Sequence, residues 1–344
     1  MEGPQSSGIN SMREIINKRI AVYTALAVLA VCSLAWSYGN FSSEDAIYLS
    51  PITVKLKWIH QSQFAGIYTA IEKGFYEYKM LDVKVVEGSP SSPPIDAVLS
   101  GGAKFGIAGA DDIIVQVSKG APLKVIAVIY QKNPIVYFSR KDSGITTPYD
   151  FVGKKVGVRE GTGSFNIYLS ILKDLGIDRS QIEEVPASAD LTPFIEGSVD
   201  VWPGFIMNEP VTVENSGIEI NLIKPENYGI DIYGDVLFTT ARVAEREPDL
   251  VRSFVRATLM GWEYSIDNQD EAVGYVMRYA KDTTREHQSS ILSESVPLIR
   301  PDIGTEIGDM SFVDWLGTYN TFEKFGVISE DVDVRDVYTV KFLE

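Results

Sequence analysis

One cysteine and two histidines are all that 344 residues supply of those types. Cys32 has no disulfide partner and lies in an apolar stretch near the N-terminus, so the folded part is expected to hold together without a bridge. His60 and His287 cannot assemble a redox metal site of the His/Cys type, and no metal or other cofactor is expected. Basic residues are scarce as well. With 31 Lys and Arg against 47 Asp and Glu, the net charge of −16 would be repelled by a phosphate backbone, which excludes nucleic acid as a partner. Phosphate-loop chemistry is missing too. Val158-Arg-Glu-Gly-Thr-Gly-Ser164 precedes a helical stretch, but no Lys-Ser/Thr follows its second glycine, and the third glycine of a dinucleotide fingerprint is absent. No nucleophile–base pair stands out, so the chain is expected not to be an enzyme.

Charge is also missing from Ile20–Trp36, a run of 17 largely apolar residues behind Lys18 and Arg19. A basic patch followed by an apolar core reads as an export signal or membrane anchor, with a polar linker over 37–45 behind it. Residues 1–45 are therefore set apart from the fold. Val31 stands where a lipoprotein box wants a small residue, so lipidation at Cys32 is not favoured over an uncleaved anchor or cleavage near Ala35–Ser37. Either way, the remainder is expected to face out of the cytoplasm.

Short β-like runs alternate with helical ones from Ile52 to Thr240, and after Arg242 the pattern turns to helices alone. Such alternation predicts an α/β protein with mostly parallel sheets covered by helices. One set of βα units, a second set and a helical return outline two α/β lobes with a hinge and a ligand cleft. The expected boundaries are 46–140 with 236–344 for lobe 1 and 141–235 for lobe 2. In the late helices Trp262, Tyr264, Trp315, Tyr319 and Phe322 fall at helical spacing and read as core.

Four stretches offer groups to a ligand. In the first, Trp58, Gln61 and Gln63 follow a strand of alternating Val54, Leu56 and Trp58, where open α/β sheets place their ligands. Phe64, Ile67, Tyr68 and Ile71 then share one helix face, and Gly74 ends that helix. In the second, Gly106-Ile-Ala-Gly-Ala-Asp-Asp112 runs from a strand into a helix; Asp111 reads equally as an N-cap or a cleft group, with Asp112 beside it. The third, Glu160, Gly161 and Thr162, stands before a helix whose entry Ser164 can cap. The fourth, Asp200-Val-Trp-Pro-Gly-Phe-Ile-Met-Asn-Glu-Pro210, presents Trp202 or Phe205 for stacking and Asn208 and Glu209 for a ring edge. Tyr233 and Asp235 add cleft-rim candidates at the second predicted hinge.

The order W-x-x-Q-x-Q-F-A-G-x-Y from Trp58, then A-x-x-K-G-F-Y from Ala70, then L-D-V from Leu81, resembles the solute-binding proteins of the thiamine-pyrimidine and riboflavin class. Those proteins are extracytoplasmic receptors of ABC importers, related to sulfonate and nitrate binders. The resemblance implies a periplasmic-binding-protein-like fold, a heterocyclic ligand and the transmembrane subunits of an ABC permease as partners, with the membrane reached through the N-terminal segment. It favours contact by Glu160, Gly161 and Thr162, and places Trp58 and Tyr68 on one side of the cleft with Glu160, Asn208 and Glu209 opposite. Aromatics with carboxylates and amides, and Arg159 as the one cation, suit an aminopyrimidine thiamine precursor better than a sulfonate or nitrate. Riboflavin stays open, since it uses the same groups in a longer cleft. The related fungal thiamine-pyrimidine synthase is similar at Trp58, Gly66, Tyr68 and Lys73–Tyr76, but carries a histidine where Phe64 stands and a cysteine-rich iron motif that this chain does not have.

Overall fold

Alternating strands and helices build two five-stranded sheets in the computed structural model, which describes residues 6–39, 49–89 and 91–344. The residues fall into two units, Met1–Tyr48 and Leu49–Glu344. In the first unit, α1 spans Ser6–Gly39. The apolar run lies within it, although the side chains of Leu34–Trp36 and residues 40–48 of the linker region lie outside the described residues. Among the described residues no helix is long and apolar enough to cross a membrane.

The second unit begins with β1 (Ser50–Lys55), β2 (Leu81–Val86), β3 (Phe105–Gly109) and β4 (Leu123–Val128). Parallel neighbours need crossovers, and α2 (Ala65–Glu72) with α3 (Phe75–Tyr78), α4 (Pro94–Leu99) and α5 (Ala110–Ser118) supply them. Gly74 takes φ +69° between α2 and α3, a left-handed turn that a side chain would strain. The first sheet is completed by β10 (Asp235–Thr240), which inserts antiparallel between β3 and β4 to give the order β2-β1-β3-β10-β4.

The second sheet contains β5 (Ile135–Arg140), β6 (Lys155–Val158), β7 (Glu183–Pro186), β8 (Val201–Phe205) and β9 (Ile220–Ile223), in the order β7-β6-β8-β5-β9. Helices α6 (Gly163–Leu175), α7 (Thr192–Ile195) and α8 (Glu209–Asn215) connect its strands. Here both expected boundaries of lobe 2 are corrected. Lobe 2 was expected to open at residue 141, but Ile135–Arg140 pairs with β8 and β9, so the chain crosses at 129–134. It crosses back before Asp235, which pairs with Gly109 in the first sheet and so belongs to lobe 1.

The helical return consists of α9 (Ala241–Arg246), α10 (Pro248–Asp267), α11 (Gln269–Val276), α12 (Arg285–Ile299) and α13 (Phe312–Lys324). Pro248 opens α10, where its missing N–H costs nothing. At the contact between α2 and α10, a Cβ on Gly66 would lie 2.3 Å from the Trp262 ring, and one on Gly261 2.0 Å from the Gly66 carbonyl. The glycine of the Phe64-Ala-Gly66 stretch thus lets two helices touch backbone to backbone beneath Trp262. Phe254 completes this core by stacking on Phe105, ring centres 3.9 Å apart. Trp262, Trp315, Tyr319 and Phe322 are buried as expected. Tyr264 instead lies half-buried, with the Lys73 ammonium over its ring.

Candidate functional site

Strand β1 ends at Lys55, and the chain then turns so that Lys57 points into the protein instead of out to solvent. Its Nζ lies 2.8 Å from Asp235 Oδ1 at the start of β10. The other oxygen of Asp235 accepts from Gln63 Nε2 at 2.6 Å, and Gln63 Oε1 accepts from Gln61 Nε2 at 2.7 Å. Gln61, Gln63 and Asp235 are buried, so each bond is made in a weakly screening interior. Burial would lower the Lys57 pKa, but Asp235, Asp111 and Asp112 outweigh it and hold the pKa above the ordinary lysine value. Lys57 is therefore an ammonium set among carboxylates.

Asp111 and Asp112 enter from the first turn of α5. Asp111 is not the N-cap: Gly109 holds that position and no side chain caps it. At 2% exposure, Asp111 has its pKa raised by burial, against the opposing pull of Lys57 and of backbone N–H groups. Asp112 is pushed up to about 7 by burial and then by the neighbouring charge of Asp111. Two adjacent acids at the end of a buried strand thus share a site in which both cannot ionise freely.

The second lobe approaches this cluster at two points. The Lys57 ammonium lies 4.7 Å from the centre of the Phe205 ring at the end of β8. The Asp111 carboxylate packs on Gly163 at the start of α6, so closely that a Cβ there would fall 1.4 Å from Oδ2. Behind Phe205, Glu209 accepts from the Phe205 N–H at 2.8 Å and from Arg159 Nη2 at 2.9 Å. Asn208 occupies the N-cap of α8 without a side-chain cap bond, and Pro210 sits in the first turn. Thr162 is the N-cap of α6, its hydroxyl donating to the Arg159 carbonyl at 2.7 Å and lying 2.9 Å from Ser164 Oγ.

Other expected residues lie elsewhere. Phe64 and Tyr68 are core side chains; the Tyr68 hydroxyl stands 2.7 Å from His60 Nδ1, and its ring stacks on Tyr279 at 4.6 Å. Trp58 is half-buried against the same core. Trp202 is enclosed in the second lobe's core with Phe138 and Phe194, where no ring can reach it to stack. Glu160 is 73% exposed and faces Arg179, and Gly161 takes φ +77° in the exposed turn beside it. Tyr233 donates to Asp314 at 2.8 Å and packs edge-on against Trp315, which ties it to α13. Sequence reasoning passed over Lys57. Alternation with Leu56 and Trp58 reads as a solvent-facing position, whereas β1 ends at Lys55 and the turn beyond it carries Lys57 inward.

Two sheets joined by two crossings, with polar residues from both meeting at the strand ends, define the class of periplasmic-binding-protein-like folds. The family model described as NMT1/THI5 like matches residues 61–272, and the chain belongs to that family. Over 312 residues it is 26% identical to the riboflavin-binding protein RibY of Chloroflexus aurantiacus, covering 86% of each chain. It is 25% identical over 318 residues to the formylaminopyrimidine-binding protein of Halalkalibacterium halodurans, covering 88% of this chain and 95% of that one. A 4-amino-5-hydroxymethyl-2-methylpyrimidine phosphate synthase of Legionella pneumophila is 25% identical over 302 residues, 86% of this chain and 92% of the other. Among solved structures, the periplasmic aliphatic sulphonate binding protein SsuA of Escherichia coli superposes with a TM-score of 0.67 at 17% identity, over 83% and 91% of the chains.

Proposed function

We propose that this protein is an extracytoplasmic receptor that captures an aminopyrimidine thiamine precursor between its lobes and delivers it to the transmembrane subunits of an ABC importer. The observation that carries the ligand class is the group formed by buried Asp111 and Asp235 with half-buried Asp112 around the single ammonium of Lys57. Three acids and one cation favour a ligand that brings amino hydrogens and disfavour an anion. The similarity to the formylaminopyrimidine-binding protein supports the same reading. Gln63, Asp111, Asp112 and Asp235 of the first lobe are proposed to face Thr162, Asn208 and Glu209 of the second. The apolar stretch within α1 is proposed to export the chain and tether it to the membrane. Binding without turnover is proposed despite the synthase among the relatives, because Phe64 stands where the fungal synthase carries a histidine and this chain has no cysteine-rich motif.

Isothermal titration with 4-amino-5-hydroxymethyl-2-methylpyrimidine, its N-formyl amine, riboflavin, nitrate and an alkanesulfonate tests this reading. Micromolar or tighter binding of a pyrimidine is expected. Binding of the anions alone would refute it, and riboflavin alone would move the assignment to the second reading, which the similarity to RibY favours. Glu209 provides a further discriminator, because its carboxylate balances Arg159 at 2.9 Å. Glu209→Gln releases that positive charge beside the cleft. Pyrimidine affinity is expected to fall by more than about tenfold, and riboflavin affinity by less, since losing a charged hydrogen bond costs about 1.5–3 kcal/mol.

A further inference from the structure

The geometry points to Lys57 as a tethered stand-in for the ligand's amino group, holding the lobes together across the subsite that an amine-bearing heterocycle takes over. Its two partners belong to different lobes. Asp235 supplies an ion pair at 2.8 Å from the first, and Phe205 supplies a ring face at 4.7 Å from the second. A carboxylate for the N–H groups and an aromatic face for the ring are what a flat amino heterocycle would use in the same place. Asp235 cannot turn aside, because its second oxygen is fixed by Gln63 at 2.6 Å. Lys57 can: it hangs on a four-carbon stem, and its side chain keeps 18% exposure, which leaves it a path to water.

Charge favours the exchange. Asp235 on β10 and Asp111 and Asp112 on α5 act on Lys57, and on the second lobe's side Arg159 and Glu209 balance one another. One ammonium among the carboxyl groups of Asp111, Asp112 and Asp235 leaves acceptors in excess while Lys57 remains, and an incoming amine adds donors. Lys57 thereby sets specificity. A ligand must replace both the ion pair and the ring contact, so aliphatic cations and rings without an amine each recover only half. The exchange rests on the aminopyrimidine reading; the bridge between lobes does not.

The test compares wild type with Lys57→Met and Lys57→Arg. In small-angle scattering of the ligand-free proteins, Lys57→Met should raise the radius of gyration, while Lys57→Arg, which can keep both contacts, should leave it unchanged. In isothermal titration, Lys57→Met should bind 4-amino-5-hydroxymethyl-2-methylpyrimidine about tenfold more tightly than wild type, because the ligand no longer competes with a tethered ammonium. The analogue without the 4-amino group should gain nothing. Weaker binding of the aminopyrimidine by a folded Lys57→Met, or equal gains for both compounds, would overturn the stand-in role. Should wild type bind riboflavin and no pyrimidine, the ligand reading fails by itself. Scattering then decides, and an unchanged radius of gyration in Lys57→Met overturns the bridge.

Discussion

Replacing Gly163 by alanine should weaken ligand binding by about a hundredfold or more while leaving each lobe folded. Gly163 opens α6 in the second lobe, and Asp111 rises from α5 in the first. An alanine Cβ would lie 1.4 Å from Asp111 Oδ2 and 2.6 Å from its carboxyl carbon, far inside van der Waals contact. Asp111 is 2% exposed on a short side chain, so it has little room to swing away. The remaining relief is to separate the lobes. If binding requires closure, the apparent dissociation constant rises by the factor by which the closed state is depleted, and a hundredfold depletion corresponds to about 2.7 kcal/mol. Scattering with saturating ligand should show wild type contracted and Gly163→Ala expanded. The double variant Asp111→Ala/Gly163→Ala removes the obstructing carboxylate and should contract again. Unchanged affinity in the single variant would show that this contact is not part of the bound state.

What the sequence disclosed about this closure, and what it withheld, follows from the range of the interactions involved. Alternating apolar positions and helix-ending glycines act locally, so the strand–helix alternation up to Thr240 and the all-helical return after Arg242 appear as expected. Pairing of Ile135–Arg140 is decided by β8 and β9, far along the chain, and nothing inside that strand states which sheet it joins. The same holds at the site. Asp111, Asp112 and Gln63 were marked by strand ends and Asp235 by a predicted hinge; the three acids gather around Lys57, with Gln63 bonded to Asp235. Lys57 was missed because alternation with Val54 and Leu56 places it on the outer face, where a lysine needs no partner. The strand ends at Lys55, however, and the turn beyond it swings Lys57 inward; on the central strand itself even Lys55 is buried, its ammonium donating to Ser92 at 2.9 Å. Trp202 misled in the opposite way, since side-chain chemistry suited a ligand but its direction on β8 is set by the Phe138 and Phe194 side chains packed around it.

Stability of the ligand-free protein should fall as pH rises from about 4 to 7, and Asp112→Asn should remove about half of that slope. Asp112 has its pKa raised from 3.8 to about 7, by burial first and by Asp111 second. An acid with a folded-state pKa above its unfolded value keeps its proton longer in the folded chain. Its contribution is complete below the unfolded pKa near 4 and is lost as pH climbs through 7. A shift of about three units corresponds to at most about 4 kcal/mol. Asp111 and Lys57 share the titration, so about half of that, on the order of 2 kcal/mol, is a realistic share for Asp112. For a chain of this size, that amounts to roughly 4 °C in melting temperature. At pH 8 Asp112→Asn should therefore melt above wild type, and at pH 4 the two should nearly coincide. An amine-bearing ligand reverses the trend by favouring the ionised acid, so its affinity should rise over the same pH window as Asp112 gives up its proton. Titration calorimetry in two buffers of different ionisation enthalpy would register that proton as a difference in apparent binding enthalpy. Equal enthalpies in both buffers, together with a pH-independent melting temperature, would show that Asp112 is ionised throughout and that the acid cluster does not take part in binding.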